Sequence, residues 1–258
     1  MATKLYTMGN MRSAYAQCTP TPANLYPAAH LVDSNVNTWC KLASAGTLSA
    51  VIDLGRAETV DAIICWIHNY GNSFSATTAI DRYYSDNGTS WTFVSGGVSI
   101  RDTATPLRIA TTGLGSSHRY WKVNIPPVSP VPEVAMVACC REFTIEQGYA
   151  WPETNGRTAY NVYSQGKYIR PLYKTVTKDL TRTFLLTAPT DIEAARNAFD
   201  DSGGQCRPLV LWESSTQADA LLARFASDTW IDRQATHQFW KASIQFKGIP
   251  HADTGDNY

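Results

Sequence analysis

The first half of the chain predicts short β-strands separated by turns. Residues 60–67 form a nearly continuous apolar run, which is typical of a strand that is covered on both faces. Ser85-Asp86-Asn87-Gly88 is a turn of the Asn-Gly type, which joins two strands into a hairpin. Further strands are predicted at residues 50–54, 79–84, 90–94, 119–125 and 141–146. Strands at this spacing, with no helical pattern among them, predict a β-sandwich over residues 30–148.

The second half of the chain combines strands with one main helix. Thr190 and Glu193 predict a capping box just after Pro189, and Gly203 with Gly204 ends the helix. The apolar face of this helix is formed by Ile192, Ala195 and Phe199. Strands are predicted at residues 173–177, 182–187, 208–212 and 239–246, while residues 220–225 form either a strand or a turn of helix. This pattern predicts a smaller α+β or β-barrel domain over residues 149–250, followed by a C-terminal tail at 251–258.

Residues 1–29 form a lead-in with scattered tyrosines and prolines. Tyr6 and Tyr15 precede Pro20 and Pro22, and Tyr26 follows them. A proline-rich stretch of this kind predicts an extended arm, which would pack on a neighbouring molecule. The alternative, that these residues supply a strand of the same domain, has equal weight.

Composition excludes some classes of function. The 258 residues include 22 basic and 22 acidic side chains, so the formal net charge is zero. Binding to nucleic acid through general electrostatic attraction is therefore not expected. No apolar run approaches the ~20 residues that a membrane helix needs, and the N-terminus lacks the pattern of a signal peptide. The six cysteines fit no metal-binding spacing and predict buried free thiols in a reducing cytoplasm.

Four motifs in the first half occur in the order found in a known family. They are Asp33-Ser34-Asn35 with Thr38-Trp39 and Ile52-Asp53-Leu54-Gly55, the hairpin at residues 84–91, Arg119-Tyr120, and Arg141-Glu142-Phe143. Together they resemble the discoidin-like (coagulation-factor type C) domains. The resemblance implies a jelly-roll β-sandwich. Ser34 stands where that family prefers glycine.

This resemblance implies a calcium site, which would be the one cofactor site of the chain. Calcium takes several oxygen ligands from carboxylates and carbonyls on a tight loop. The turn offers Asp33, Asn35 and Thr38, and Glu142 would complete the site as the closing glutamate of the family. The alternative is that Asp33 and Asn35 cap a turn and that Glu142 is solvated.

The same resemblance implies a carbohydrate site on the loops at one end of the sandwich. Aromatic side chains there would stack on a sugar ring, and polar groups would bind its hydroxyls. The candidate residues are His68, Asn69, Tyr70, Asn72 and Phe74. We expect the tryptophans that lie in or beside strands to belong to the core instead. These are Trp39, Trp66, Trp91 and Trp121.

The second half resembles the core of minor tail and distal-tail proteins of tailed phages. The shared order is the run at residues 183–187, one capped helix with a glycine-containing break, the strand at 208–212, an aromatic-closed segment at 221–225, and a last alternating strand. The resemblance implies a virion structural protein of the tail tip or baseplate, assembled in the host cytoplasm. Its partners would be other tail proteins, further copies of itself in a ring, and a host cell-surface glycan.

Two functions from other classes remain open. One is a calcium-dependent carbohydrate-binding module that is not part of a virion, and the other is a glycoside-cleaving enzyme. The sequence holds no G-x-S-x-G elbow, no phosphate-binding loop and no metal-binding histidine pair. Carboxylates such as Asp53 and Asp61 occur, but no sequence spacing brings two of them to the separation that glycoside hydrolysis requires. We therefore predict that the chain is not an enzyme.

Overall fold

The computed structural model describes residues 3–67, 80–94, 99–101, 107–127, 131, 133–146, 149–150, 163–164, 167–168, 181–186, 188–212, 220–226, 231–236 and 239–249. The strands of these residues are, in chain order, β1 Thr3–Thr7, β2 Tyr15–Thr19, β3 Cys40–Lys41, β4 Leu48–Thr59, β5 Ala62–Ile67, β6 Asp81–Ser85, β7 Thr92–Phe93, β8 Ser99–Arg101, β9 Leu107–Thr111, β10 Ser117–Ile125, β11 Glu133–Ile145, β12 Tyr149–Ala150, β13 Tyr163–Ser164, β14 Lys167–Tyr168, β15 Thr181–Leu186, β16 Leu209–Trp212, β17 Ala220–Phe225, β18 Ile231–Thr236 and β19 Phe239–Gly248. The helices are α1, Pro189–Ser202, and two 3-10 helices, Gly9–Ser13 and Ala28–Leu31.

The strands form two large antiparallel sheets. One has five strands in the order β2-β4-β10-β6-β7. The other has twelve, with the path β12-β15-β19-β17-β16-β1-β11-β5-β9-β8, while β18 pairs with β19 and β3 pairs with β11. A separate hairpin joins β13 to β14. The predicted fold class, mainly β with a sandwich and a smaller unit that carries one main helix, is confirmed.

The sandwich forms where the five-stranded sheet packs on one half of the large sheet. Along β4 the buried positions alternate, so that Leu48, Ala50, Ile52 and Leu54 enter the core while their neighbours do not. Strand β5 is buried at all six positions, as its continuous apolar run predicted. Among the tryptophans predicted to be core residues, Trp66 and Trp121 are fully buried, whereas Trp39 and Trp91 are half-buried.

Strand β11 connects the sandwich to the second unit. Its first part, from Val134 to Cys140, pairs with β5, and its second part, from Arg141 to Ile145, pairs with β1. Because β1 pairs on its other side with β16, the sheet continues without a break into the second unit.

The N-terminal residues lie within the sheets, in place of the predicted extended arm. Strand β1 lies between β11 and β16, and β2 forms the edge of the five-stranded sheet beside β4. Alternation along β1 places Leu5 in the core under α1 and Tyr6 in the core of the sandwich. The strand alternative is thus the one observed, since both faces of this segment find an apolar core.

Helix α1 covers one face of the second unit. Ile192, Ala195 and Ala198 pack against a core that includes Phe246. The predicted capping box is wrong, because the N-cap residue is Ala188, which makes no side-chain cap, and Thr190 lies inside the helix. The predicted end is confirmed, with Gly203 in the left-handed region at φ 64°. Among the described residues no helix has both the length and the apolar character to cross a bilayer.

Candidate functional site

The turn at residues 33–38 is held by its own side chains. One carboxylate oxygen of Asp33 accepts the backbone N–H of Asn35 at 2.8 Å, and the other accepts the hydroxyl of Thr38 at 2.7 Å. The side-chain oxygen of Asn35 accepts the backbone N–H of Asn37 at 3.1 Å. Ser34 has φ 59°, in the left-handed region that favours glycine. This explains in physical terms why a glycine would suit the position.

Glu142, the fourth predicted calcium ligand, has a different environment. It lies on β11 opposite Tyr6, and its carboxylate is 2.8 Å from the ammonium group of Lys4. Burial and then the Glu142 carboxylate hold the pKa of the Tyr6 phenol well above its usual range. Thr144 also donates to Glu142 at 3.4 Å.

The arrangement fits a calcium site only in part. Asp33, Asn35 and Thr38 come together, but each is bonded within the turn, and Glu142 is neutralised by Lys4. No group of three or more His, Cys, Asp or Glu side chains within the described ranges is placed to hold a metal ion. The alternative interpretation, that Asp33 and Asn35 cap a turn, describes their hydrogen bonds fully. Calcium binding through these four residues stays a prediction.

The residues predicted to bind carbohydrate, His68, Asn69, Tyr70, Asn72 and Phe74, lie outside the described residues. The tryptophans of the sandwich do not take the place of these five residues as sugar-stacking groups. Trp121 and Trp66 point into the core, while Trp39 stacks on Tyr26 with ring centroids 5.9 Å apart. Trp91 lies under the ammonium group of Lys122, 4.7 Å from the ring centroid.

A large cleft lies where the turn at residues 33–37 faces the second unit. Its other walls are residues 205–206, residues 224–226 at the end of β17, and residues 247–249 at the end of β19. We call this space, of about 980 Å³, the junction cleft. That volume lies at the upper end of the range of ~300–1,000 Å³ that is typical of ligand pockets.

The lining of the junction cleft combines an apolar floor with exposed polar groups. Val36 and Phe225 are buried and Ile249 is half-buried. The amide side chains are those of Asn35, Asn37 and Gln205. Among the described residues of this lining, the charged groups are one carboxylate, Asp33, and two cations, Arg224 and Lys247.

Sequence reasoning found one wall of this cleft and missed the other. It singled out Asp33 and Asn35 from their turn chemistry. Arg224 and Lys247 gave no such signal, because each is one charged residue on an alternating strand, and alternation alone predicts only that it faces solvent. Their relation to the turn depends on the pairing of β1 with both β11 and β16.

A second cluster has the connectivity of a catalytic triad. The Nε2 of His118 shares a hydrogen bond with the hydroxyl of Ser116 at 2.9 Å, and its Nδ1 lies 2.8 Å from a carboxylate oxygen of Asp86. The Asp86 side chain is 76% exposed, however, whereas the acid of a catalytic triad is buried. These residues anchor the start of β10, where His118 also stacks on Tyr84.

The thiols agree in large part with the sequence prediction. Cys40, Cys65, Cys139 and Cys140 are buried thiols that form no disulfide among the described residues, as expected. Burial raises the pKa of Cys139 and Cys140 well above the usual range of a thiol, which makes both poor nucleophiles. Cys206 differs, since it is exposed at the mouth of the junction cleft.

Comparison with solved structures finds likeness over about half of the chain. The family 32 carbohydrate-binding module of NanJ from C. perfringens, solved with galactose, is 20% identical, covers 54% of this chain and 99% of its own, and has a TM-score of 0.41. A family 32 module from a family 31 glycoside hydrolase of Clostridium perfringens is 12% identical over 50% of this chain and 95% of its own, with a TM-score of 0.42. A mutant of the lectin binding domain of lectinolysin, complexed with Lewis b, is 18% identical over 52% of this chain and 96% of its own, with a TM-score of 0.38.

No protein-family model matches the chain, and no curated protein matches it.

Proposed function

We propose that this chain is a non-catalytic carbohydrate-binding protein whose ligand occupies the junction cleft. The observation that carries the proposal is the lining of the cleft. Amide side chains at Asn35, Asn37 and Gln205 surround an apolar floor that includes Phe225. A sugar presents hydroxyl groups around an apolar ring face. The amides can donate hydrogen bonds to these hydroxyls and accept hydrogen bonds from them, and the apolar floor matches the ring face.

The same lining argues against glycoside hydrolysis. Hydrolysis by the usual mechanism needs two carboxyl groups, one on each side of the scissile bond. Among the described residues that line the cleft, Asp33 is the one carboxylate, and both of its oxygens accept hydrogen bonds from the turn. The described lining therefore has the groups for binding and a single carboxylate, where cleavage needs two.

Binding is tested directly with the purified chain. The first probes are galactose, which the C. perfringens module of NanJ holds, and an array of neutral and acidic glycans. Asn37→Ala removes an exposed amide of the cleft, and we expect at least tenfold weaker binding by calorimetry. Gln17→Ala, an exposed amide on β2 outside the cleft, is the matched control. Absence of any glycan ligand, or equal affinity for both variants, refutes the proposal.

The tail-tip role predicted from the sequence stays a prediction. It includes the virion location, the tail-protein partners and the ring of copies. Light scattering of the purified chain with negative-stain imaging of the same peak is its test. A ring would favour assembly in a virion, and glycan binding by a stable monomer would favour a free module.

A further inference from the structure

Two cations lie side by side in the junction cleft. Arg224 on β17 is directly opposite Lys247 on β19, and both side chains are exposed. Residues directly opposite on antiparallel strands have Cβ atoms about 4.5–5.5 Å apart, and like charges in that relation are destabilising. The register is fixed by Phe225 and Phe246, which pair at the next position and pack with ring centroids 4.8 Å apart.

The nearby carboxylate does not neutralise this pair. Asp33 is engaged by the backbone N–H of Asn35 and the hydroxyl of Thr38. In the part of the chain that the structure describes, neither Arg224 nor Lys247 forms an ion pair with Asp33 or with any other carboxylate. The lining of the cleft thus has two cations against one carboxylate, and that carboxylate is already hydrogen-bonded within its own turn.

We infer that the junction cleft takes a glycan that carries an anionic group, which binds between Arg224 and Lys247. This inference rests on the proposed function and narrows its ligand class. The planar guanidinium of Arg224 offers two parallel N–H donors to a carboxylate or a sulfate, and Lys247 adds a point charge beside it. The anion removes the repulsion between the two cations at the moment of binding. A neutral sugar leaves that repulsion in place.

The anionic group has two chemical sources, a sugar carboxylate and a sulfate ester. Matched probes separate them, since galacturonic acid and galactose 6-sulfate differ from galactose at one carbon. On the glycan array, each neutral glycan is compared with its uronate, sialylated or sulfated form. We expect the anionic form of the preferred glycan to bind at least tenfold more tightly than the neutral form. The advantage shrinks as salt is raised, because salt screens exposed charges.

The decisive variants are Arg224→Gln, Lys247→Gln and the two together. We expect the double variant to lose the preference for the anionic form and to keep its affinity for the neutral form. Arg56→Gln is the matched control, because Arg56 is an exposed cation on β4 outside the cleft. Each cleft variant should unfold at the same or a higher denaturant concentration than the parent, since it removes a like-charge contact. A binding loss in a variant that meets this expectation is not due to misfolding.

The outcomes distinguish this inference from the function on which it rests. Equal affinity for neutral and anionic forms overturns the inference and leaves carbohydrate binding intact. A preference for the anionic form that survives in the double variant also overturns it, because the anion then binds elsewhere. No binding to any member of the array overturns the proposed function itself. Preference for the carboxylate alone, or for the sulfate alone, supports the inference and identifies the source.

Discussion

The carboxylate of Asp201, near the end of α1, accepts a hydrogen bond from the hydroxyl of Thr7 at 2.5 Å. The same oxygen accepts the backbone N–H of Gly9 at 3.1 Å, and Arg141 on β11 lies 3.6 Å from the other oxygen. Thr7 ends the strand that the sandwich and the second unit share. One side chain of the second unit therefore fixes the end of β1 and the turn that follows it.

Replacing Asp201 should destabilise the whole chain. Asp201→Ala leaves the buried hydroxyl of Thr7 and the N–H of Gly9 without their acceptor, and an unsatisfied buried donor costs about 1–3 kcal/mol. We expect the free energy of unfolding in urea to fall by about 2–3 kcal/mol. Asp200→Ala is the control, because Asp200 is its exposed neighbour on the same helix. Equal effects of the two changes would show that the Asp201 contacts contribute nothing.

Gly9 should tolerate no side chain while Asp201 is present. A Cβ built on Gly9 would clash with the carboxylate of Asp201, so that carboxylate must move away from its hydrogen bonds with Thr7 and Gly9. We expect Gly9→Ala to destabilise the parent chain and to cost about 1–2 kcal/mol less in the Asp201→Ala background. Gly46→Ala is the control, since its Cβ would meet Leu42 at an ordinary 3.9 Å. Additive effects in the double variant would contradict this coupling.

The ion pair between Asp53 and Arg119 predicts a defined dependence of stability on pH. Arg119 donates to both oxygens of Asp53, at 2.8 and 2.9 Å, and these bonds lower the pKa of that carboxyl. Burial opposes the shift, and the backbone N–H of Gly55 adds to it. A carboxyl whose pKa is lower in the folded state stabilises the fold above its unfolded pKa of about 3.9. This contribution is lost as the pH falls through the folded value.

The measurement compares the parent with Asp53→Asn by urea unfolding between neutral pH and pH 3. We expect the parent to be the more stable at neutral pH and the difference to shrink below about pH 4. Glu193→Gln, which removes an exposed carboxylate of α1, is the control. A difference that is constant across this pH range would mean that Asp53 does not titrate as described.

Some strands of the sandwich were predictable because one face of each meets the core. In β4 and β10 this gives the alternation of apolar and polar residues that marks a half-buried strand. For strand β1 the sequence left an extended arm and a strand equally open, for the opposite reason. Leu5 and Tyr6 are buried on opposite faces, so the segment shows neither alternation nor a long apolar run. The first part of β11 was also missed, because a short, continuous apolar run that includes alanines cannot be told from a buried helix segment by periodicity alone.

Only the part of the candidate site that is formed by residues close together in sequence was predictable. Hydrogen bonds between a side chain and its own backbone follow from residue type, so the turn at Asp33 and Asn35 could be predicted. The position of Arg224 and Lys247 beside this turn could not be predicted, since it depends on a sheet that passes through the N-terminal strand β1. Glu142 shows the same limit, because Lys4 comes beside it through the pairing of β1 with β11.

The cluster of Ser116, His118 and Asp86 should be chemically inert. A catalytic serine reacts with fluorophosphonates because a histidine, held by a buried carboxylate, activates its hydroxyl. Here the carboxylate is that of Asp86, whose side chain is 76% exposed. We expect no labelling of Ser116 by a fluorophosphonate probe, as judged by intact mass. We also expect Ser116→Ala to leave stability within about 0.5 kcal/mol of the parent, since Ser116 itself is exposed. Stoichiometric labelling that is lost in His118→Gln would contradict this and would make the chain a hydrolase candidate.

The thiols of Cys18 on β2 and Cys40 on β3 lie 3.7 Å apart, close enough that a small shift would bring them to bonding distance. Oxidised glutathione should therefore join them, taking two electrons and two protons from the pair and being reduced to two thiols. Because the new bond closes a loop between residues 22 apart in sequence, we expect stabilisation of about 3 kcal/mol and a mass lower by two hydrogens. Cys18→Ser should abolish both changes, whereas Cys206→Ser, at an exposed thiol, should leave both in place. If the mass falls but the free energy of unfolding does not change, the bridge strains the folded state. The strain energy then equals the stabilisation that comes from constraining the unfolded chain.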